Sequence, residues 1–161
     1  MIGSPRPITS AAQAFLEGTG SDHRGRSIVH ILAFDDESLE AVHDYIQWLF
    51  PLPERSRFSA EAPVLTAPEV AMIAASPLAR RNLLAAAHRL QRFYESNGHW
   101  LTAINHNHLR ITRIIRSLRI LVGVEEAQAF RARIEDLVAA AGNPVAPEAI
   151  NHWHRAAQDT L

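Results

Sequence analysis

Apolar side chains recur every three or four residues along this chain, the period of an amphipathic helix, and strict alternation over a strand's length is hard to find. Ser10 with Gln13 makes a capping box for a short helix through Phe15 and Leu16, closed by Gly18. The stretch GTGSDHRGR, Gly18 to Arg26, reads as a polar loop. Ser27 caps a second short helix with Ile28, Ile31 and Leu32 on one face, and Asp35 and Asp36 open a stronger third one. That helix carries Leu39, Val42, Ile46, Leu49 and Phe50 as one stripe until Pro51 and Pro53 stop it. Residues 51–65 are irregular and proline-punctuated, expected to cross the surface with Phe58 and Leu65 turned inward.

Thr66 and Glu69 form a capping box around Pro68 for a helix through Val70 and Ile73. Ser76 before Pro77 starts the next, striped by Leu83, Ala87, Leu90 and Tyr94 and broken at Asn97 and Gly98. Residues 109–122 place Ile111, Ile114, Ile115, Leu118, Leu121 and Val122 on one face, ended by Gly123. A further helix over 125–141 carries Phe130 and Ile134, and Pro147 starts a last one with Ile150, Trp153 and Ala157. The pattern predicts an all-α fold, a compact irregular bundle of seven to eight helices in a single domain over residues 1–161, with Trp153 and Phe130 in its core.

Composition narrows the chemistry more than it names it. With 161 residues one core suffices. Zero cysteines exclude disulfides, thiol nucleophiles and thiolate metal sites. All 16 basic residues are Arg, so Schiff-base and Walker-type phosphate chemistry are excluded with them. The glycines nowhere space as G-x-G-x-x-G or G-x-S-x-G. No H-E-x-x-H occurs, and the pairs His106/His108 and His152/His154 would point about 200° apart on a helix. No metal and no cofactor is therefore expected. No apolar run approaches the ~18 residues that span a bilayer, and Met1 to Ser10 lack a signal pattern; the expectation is a soluble, cytoplasmic protein.

Two stretches are more specific than amphipathic helix. One is His43 to Leu52, HDYIQWLFPL, followed by Phe58 and by Ala62 with Pro63; the other is His106 to Ile114, HNHLRITRI, running on to Ser117 and Leu118. Together they resemble the conserved region of the opioid growth factor receptor family, where H-[ND]-Y-I-Q-W-L-F-P precedes H-N-N-L-R-I-T-R-I. The likeness runs in order over about residues 24–158, with Gly25 and Arg26 before the motifs and Phe93 and Tyr94 between them, and leaves residues 1–23 as an extension with a short helix. His108 departs from it, standing where the motif has Asn. The resemblance implies a helical domain whose vertebrate members are described as receptors for the pentapeptide Met-enkephalin, at the nucleus and its periphery. The chain ends near the close of the shared region, without further C-terminal repeats, and a lysine-free, Ala- and Arg-rich member looks bacterial. The fold transfers; the ligand need not.

The expected site is the junction of the two motifs. His43, Gln47 and Trp48 come from the first, and His106, Asn107, Arg110 and Arg113 from the second. Arg would take an anionic group, Asn and Gln would orient polar atoms, and Trp48 would supply apolar contact. The ligand class is a peptide or a small anionic molecule, with no residue assigned a catalytic role. Trp48 lies off its helix's stripe, either covered by residues 51–58 or open as an aromatic platform. Arg110, Arg113, Arg116 and Arg119 give one helix +4, and Asp35, Asp36, Glu37, Glu40 and Asp44 give another −5. This segregation predicts neighbouring helices, with Arg110 or Arg113 paired to one of those acids. Asn105 and Asn107 read as caps, and His106 as directed toward the His43 helix. Two alternatives stand beside the binding module. One is an enzyme using His43 or His106 as general base with Asp44 as orienter; the other is a purely structural domain. Nucleic acid is not expected as a partner, because the net charge is −1 and no basic tail accompanies the arginine helix.

Overall fold

Five helices begin at a polar side chain that accepts a backbone N–H three residues on: Ser10, Ser27, Asp35, Thr66 and Ser76. The computed structural model describes residues 9–158, so the terminal stretch read above for a signal lies outside it up to residue 8. Among the described residues the order is α1 (Ala11–Glu17), α2 (Ile28–Leu32), α3 (Asp36–Ala41), α4 (Ile46–Leu49), α5 (Ala67–Ala74), α6 (Pro77–Ser96), α7 (Asn107–Leu121), α8 (Val124–Ala140) and α9 (Pro147–Gln158). The α7 stripe of Ile111, Ile114, Ile115, Leu118 and Leu121 is buried, and α7 touches α5, α6, α8 and α9. Phe130 and Trp153 are both in the core. No helix among the described residues is long and apolar enough to cross a membrane.

The ninth helix arises because the expected third one is two. Val42 is extended (φ −87°, ψ 130°), and α3 ends before it. A continuous helix would use the carbonyls of Leu39 and Val42 for His43 and Ile46 N–H groups. Here the Arg110 guanidinium takes both carbonyls, and the Tyr45 hydroxyl also donates to Leu39 O at 2.6 Å. Leu39, Ile46, Leu49 and Phe50 of the stripe are still buried, Val42 at the break only partly.

The break also decides Trp48. Tyr45 to Phe50 are all buried, so α4 has no solvent face for an off-stripe residue. Trp48 is covered by Phe15 of α1, edge-on at 5.5 Å, and by His23, stacked at 6.2 Å, rather than by residues 51–58. Phe58 is a second correction: Leu65 is buried as expected, but Phe58 is 74% exposed. The backbone from Leu52 to Leu65 closes on itself through a Leu65 N–H to Leu52 O bond, which leaves the intervening tip outside the core.

The polar stretch 18–26 is a clasp. Asp22, buried, accepts from the Arg24 and Arg26 N–H groups at 2.9 Å each and from Arg26 Nε at 2.6 Å. Arg26 then reaches Asp44 at 2.9 Å, while Trp48 Nε1 donates to His23 Nδ1 at 3.1 Å. Burial pushes the Asp44 carboxyl up, but the Arg26 bond and the charges of Arg26, Arg24 and His23 outweigh it and hold it below the usual carboxylate range. A depressed folded pKa contributes stability that is present above the unfolded value, about 3.9, and is lost as pH falls through the folded one. Asp44→Asn is expected to cost roughly 1–2 kcal/mol at neutral pH and to make the loss of stability below about pH 4 shallower. Urea midpoints across that acid range test it; parallel wild-type and variant curves would refute it.

Candidate functional site

Arg110 lies in the first turn of α7 and is 6% exposed, so its guanidinium must find acceptors inside the protein. It donates to Leu39 O at 2.7 Å, Val42 O at 2.9 Å, Tyr45 Oη at 3.3 Å and His43 Nδ1 at 3.1 Å. A guanidinium accepts nothing, so His43 Nδ1 carries a lone pair in this arrangement. None of the four partners is a carboxylate, which corrects the expected ion pair. The break in α3 turns backbone carbonyls, not acids, toward α7.

The acids of the first motif region are held elsewhere. Asp36 bonds Arg89 and Asn97; Asp44 bonds Arg26 and Arg24. Asp44 therefore orients neither histidine, contrary to the enzyme alternative. Glu40 takes that place, meeting His106 Nε2 at 2.9 Å and His99 Nε2 at 3.0 Å. Asn107 Nδ2 also donates to Glu40, at 3.1 Å. Burial raises Glu40, but its Asn107 and His99 bonds and the charges of His106 and His99 hold it below the carboxylate range. Burial lowers His106, with Arg110, His43 and His99 adding to it and Glu40 opposing. The His106 ring meets His43 edge-on at 5.8 Å, as its expected direction required. Asn105 accepts from the Asn107 N–H at 3.0 Å just ahead of α7, whose N-cap residue, His106, makes no side-chain cap bond. Asn107 itself is fully buried and receives the Tyr94 hydroxyl at 3.3 Å.

Between the motifs lies a cavity of about 520 Å³. Ile46, Gln47 and Leu52 form one wall, α7 residues from Leu109 to Arg116 a second, and residues 54–58 a third, with His43 and His106 also lining it. Five of the seven expected residues are thus brought together: His43, Gln47, His106, Arg110 and Arg113. Trp48 and Asn107 are not among them; both are buried on other contacts. Sequence reading missed the third wall, Glu54, Arg55, Ser56, Arg57 and Phe58. Its signal is two arginines flanking a serine just before an aromatic residue, in a segment with no helical period.

Two residues that line this cavity each have a buried polar atom without a partner. Arg113 Nε donates to Phe50 O at 2.8 Å, but its Nη2 has no acceptor. Gln47, 3% exposed, spends one amide hydrogen on His43 O at 3.3 Å and leaves Oε1 unbonded. Burial lowers the Arg113 guanidinium to about 10, with Glu54 pulling it back up and Arg116 pushing it further down. It remains a cation at neutral pH. Arg116 is neutralised by Glu54 at 2.7 Å. Glu54 is the one acid in the lining, against five arginines.

The chain matches the family model described as the opioid growth factor receptor conserved region over residues 25–159. It is 38% and 37% identical over 109 residues to the opioid growth factor receptors of rat (Rattus norvegicus) and mouse (Mus musculus), alignments covering 56% of this chain and 18% and 17% of theirs. To the rat opioid growth factor receptor-like protein 1 it is 36% identical over 101 residues, 52% of this chain and 22% of that one. The chain thus spans about a fifth of the length of the relatives it matches. No solved structure matches it.

Proposed function

The chain belongs to the opioid growth factor receptor conserved-region family, and on that premise we propose that it is a binding module whose site is the cavity between the two motifs, taking a peptide or small ligand with an anionic group. The observation that carries this is that two residues lining one cavity, Arg113 and Gln47, each keep a buried polar atom without a partner, the Nη2 donor and the Oε1 acceptor. Buried polar groups in folded proteins are nearly always paired, and a ligand offering both an acceptor and a donor would satisfy the two at once.

Roles divide between the two inner arginines. Arg110, engaged on two carbonyls, the Tyr45 hydroxyl and His43 Nδ1, ties the motifs together; Arg113 is left to receive the anion, and Gln47 to hold a polar group elsewhere on the ligand. The relatives' name speaks of a growth factor receptor, and the peptide option here follows from that name. An enzyme reading rests on the Glu40–His106 pair alone, and no hydroxyl bonds His106 among the described residues.

Titration of the isotopically labelled chain with sodium phosphate and with a blocked acidic peptide, acetyl-Glu-Phe-amide, tests the proposal by NMR. The Arg113 Nε–H, the Gln47 side-chain amide and the backbone amides of residues 55–58 should shift, while the Trp153 indole, far inside the core, stays still. Arg113→Met should weaken binding roughly tenfold or more, the worth of one charge-assisted hydrogen bond. Cavity resonances that ignore both probes at millimolar concentration would refute the proposal.

A further inference from the structure

Resting on that reading of the cavity, we infer that its ligand is a nucleoside monophosphate, with the phosphate on the arginines, the base on Phe58 and the base edge at Gln47. Charge selects the anion first. Arg55, Arg57 and Arg113 form no ion pair among the described residues, and Glu54, the lining's one carboxylate, is already spent on Arg116. A carboxylate brings one negative charge to that set. A phosphate monoester brings nearly two at pH 7, and three acceptor oxygens that suit the forked guanidinium.

The remaining lining specifies what the phosphate is attached to. Phe58 stands 74% exposed next to Arg57, and Leu109 is 59% exposed on the α7 wall. An aromatic face left in solvent at the mouth of a cationic cavity is a stacking platform, and any base has a face to offer it. Gln47, a lining residue that is itself buried, has a carboxamide oxygen without a partner and a second amide hydrogen beyond the one given to His43 O, and a base edge reaches them once its side chain turns toward the cavity. A carboxamide in that state matches a base edge presenting an N–H donor beside a ring acceptor. A phosphorylated tyrosine supplies the ring and the phosphate but no donor on its ring for Gln47. The cavity, at about 520 Å³, falls within the ~300–1,000 Å³ range of small-molecule sites. The inference leaves nucleic acid unexpected, because an internal phosphodiester carries only one charge.

Isothermal titration of the whole chain with AMP, adenosine, inorganic phosphate, a phosphotyrosine peptide, acetyl-Glu-Phe-amide and a single-stranded oligonucleotide tests it. AMP should bind at least about tenfold tighter than either phosphate or adenosine, one charge-assisted contact and one stacking contact being worth about that much each. Phe58→Ala should weaken AMP severalfold and leave inorganic phosphate unchanged, and Gln47→Leu should weaken AMP by a larger factor than it weakens phosphate. Phe58 is exposed, so Phe58→Ala reads the stacking without disturbing the core. AMP binding no tighter than phosphate would overturn the inference. So would either peptide displacing AMP with Phe58→Ala without effect, although the binding-module reading would then stand. Silence from every probe would overturn both.

Discussion

Arg110→Ala should destabilise the fold by roughly 3–5 kcal/mol, the range for removing one member of a buried, hydrogen-bonded charge set. Its two guanidinium nitrogens bridge Leu39 O, Val42 O, Tyr45 Oη and His43 Nδ1 at 2.7–3.3 Å. Truncation leaves the Val42 carbonyl without that donor and keeps only the Tyr45 hydroxyl on Leu39 O. Arg110→Lys should recover little, since a single ammonium cannot reproduce the planar fork that reaches both carbonyls. Urea denaturation midpoints at constant m-value measure both variants. A loss below about 1 kcal/mol for Arg110→Ala would mean that the break at Val42 is held by something other than this guanidinium. Arg113 has one such bond, Nε to Phe50 O, and a buried Nη2 with no partner to lose, so its truncation should cost less stability than that of Arg110 and move ligand binding more.

Trp153→Ala carries the second large effect, again roughly 3–5 kcal/mol. The indole is fully buried where α9 meets α7, its Nε1 donating to His108 O at 3.1 Å and its ring edge-on to His108 at 5.8 Å. His108 also bonds Trp100 O through Nε2 at 2.8 Å. The residue that departs from the family motif is therefore part of the core joint, not of the cavity. Trp153→Phe separates the terms: most of the packing survives, and the loss should shrink to about 1–2 kcal/mol for the indole hydrogen bond and remaining volume. A midpoint change under about 1 kcal/mol for Trp153→Ala would show α9 to be only loosely docked.

Much of the architecture was readable from order alone, because the forces that set it are local. A capping side chain bonds an amide three residues away, so Ser10, Ser27, Asp35, Thr66 and Ser76 mark their helices without reference to the rest of the fold. The 3.6-residue stripes of α6, α7 and α8 are likewise properties of single segments, and they carried Phe130 and Ile134 inward as expected. The two motifs, read as a resemblance, located the junction and five of the residues lining its cavity.

Tertiary structure decided what depends on a distant partner. Val42 leaves the helix because its carbonyl meets a guanidinium 68 residues further on, and no local pattern contains that bond. With that break, Asp36, Glu40 and Asp44 meet Arg89, His106 and Arg26 instead of the α7 arginines. Charge counts record sign but not which group, carbonyl or carboxylate, faces the cation. Trp48 went inward because α1 and the Asp22 clasp cover α4 from outside its own helix. Phe58 stayed out because a bond from Leu65 to Leu52 closes the loop beneath it. Local periodicity built the helices; long-range hydrogen bonds to backbone carbonyls chose their breaks, and the breaks made the cavity.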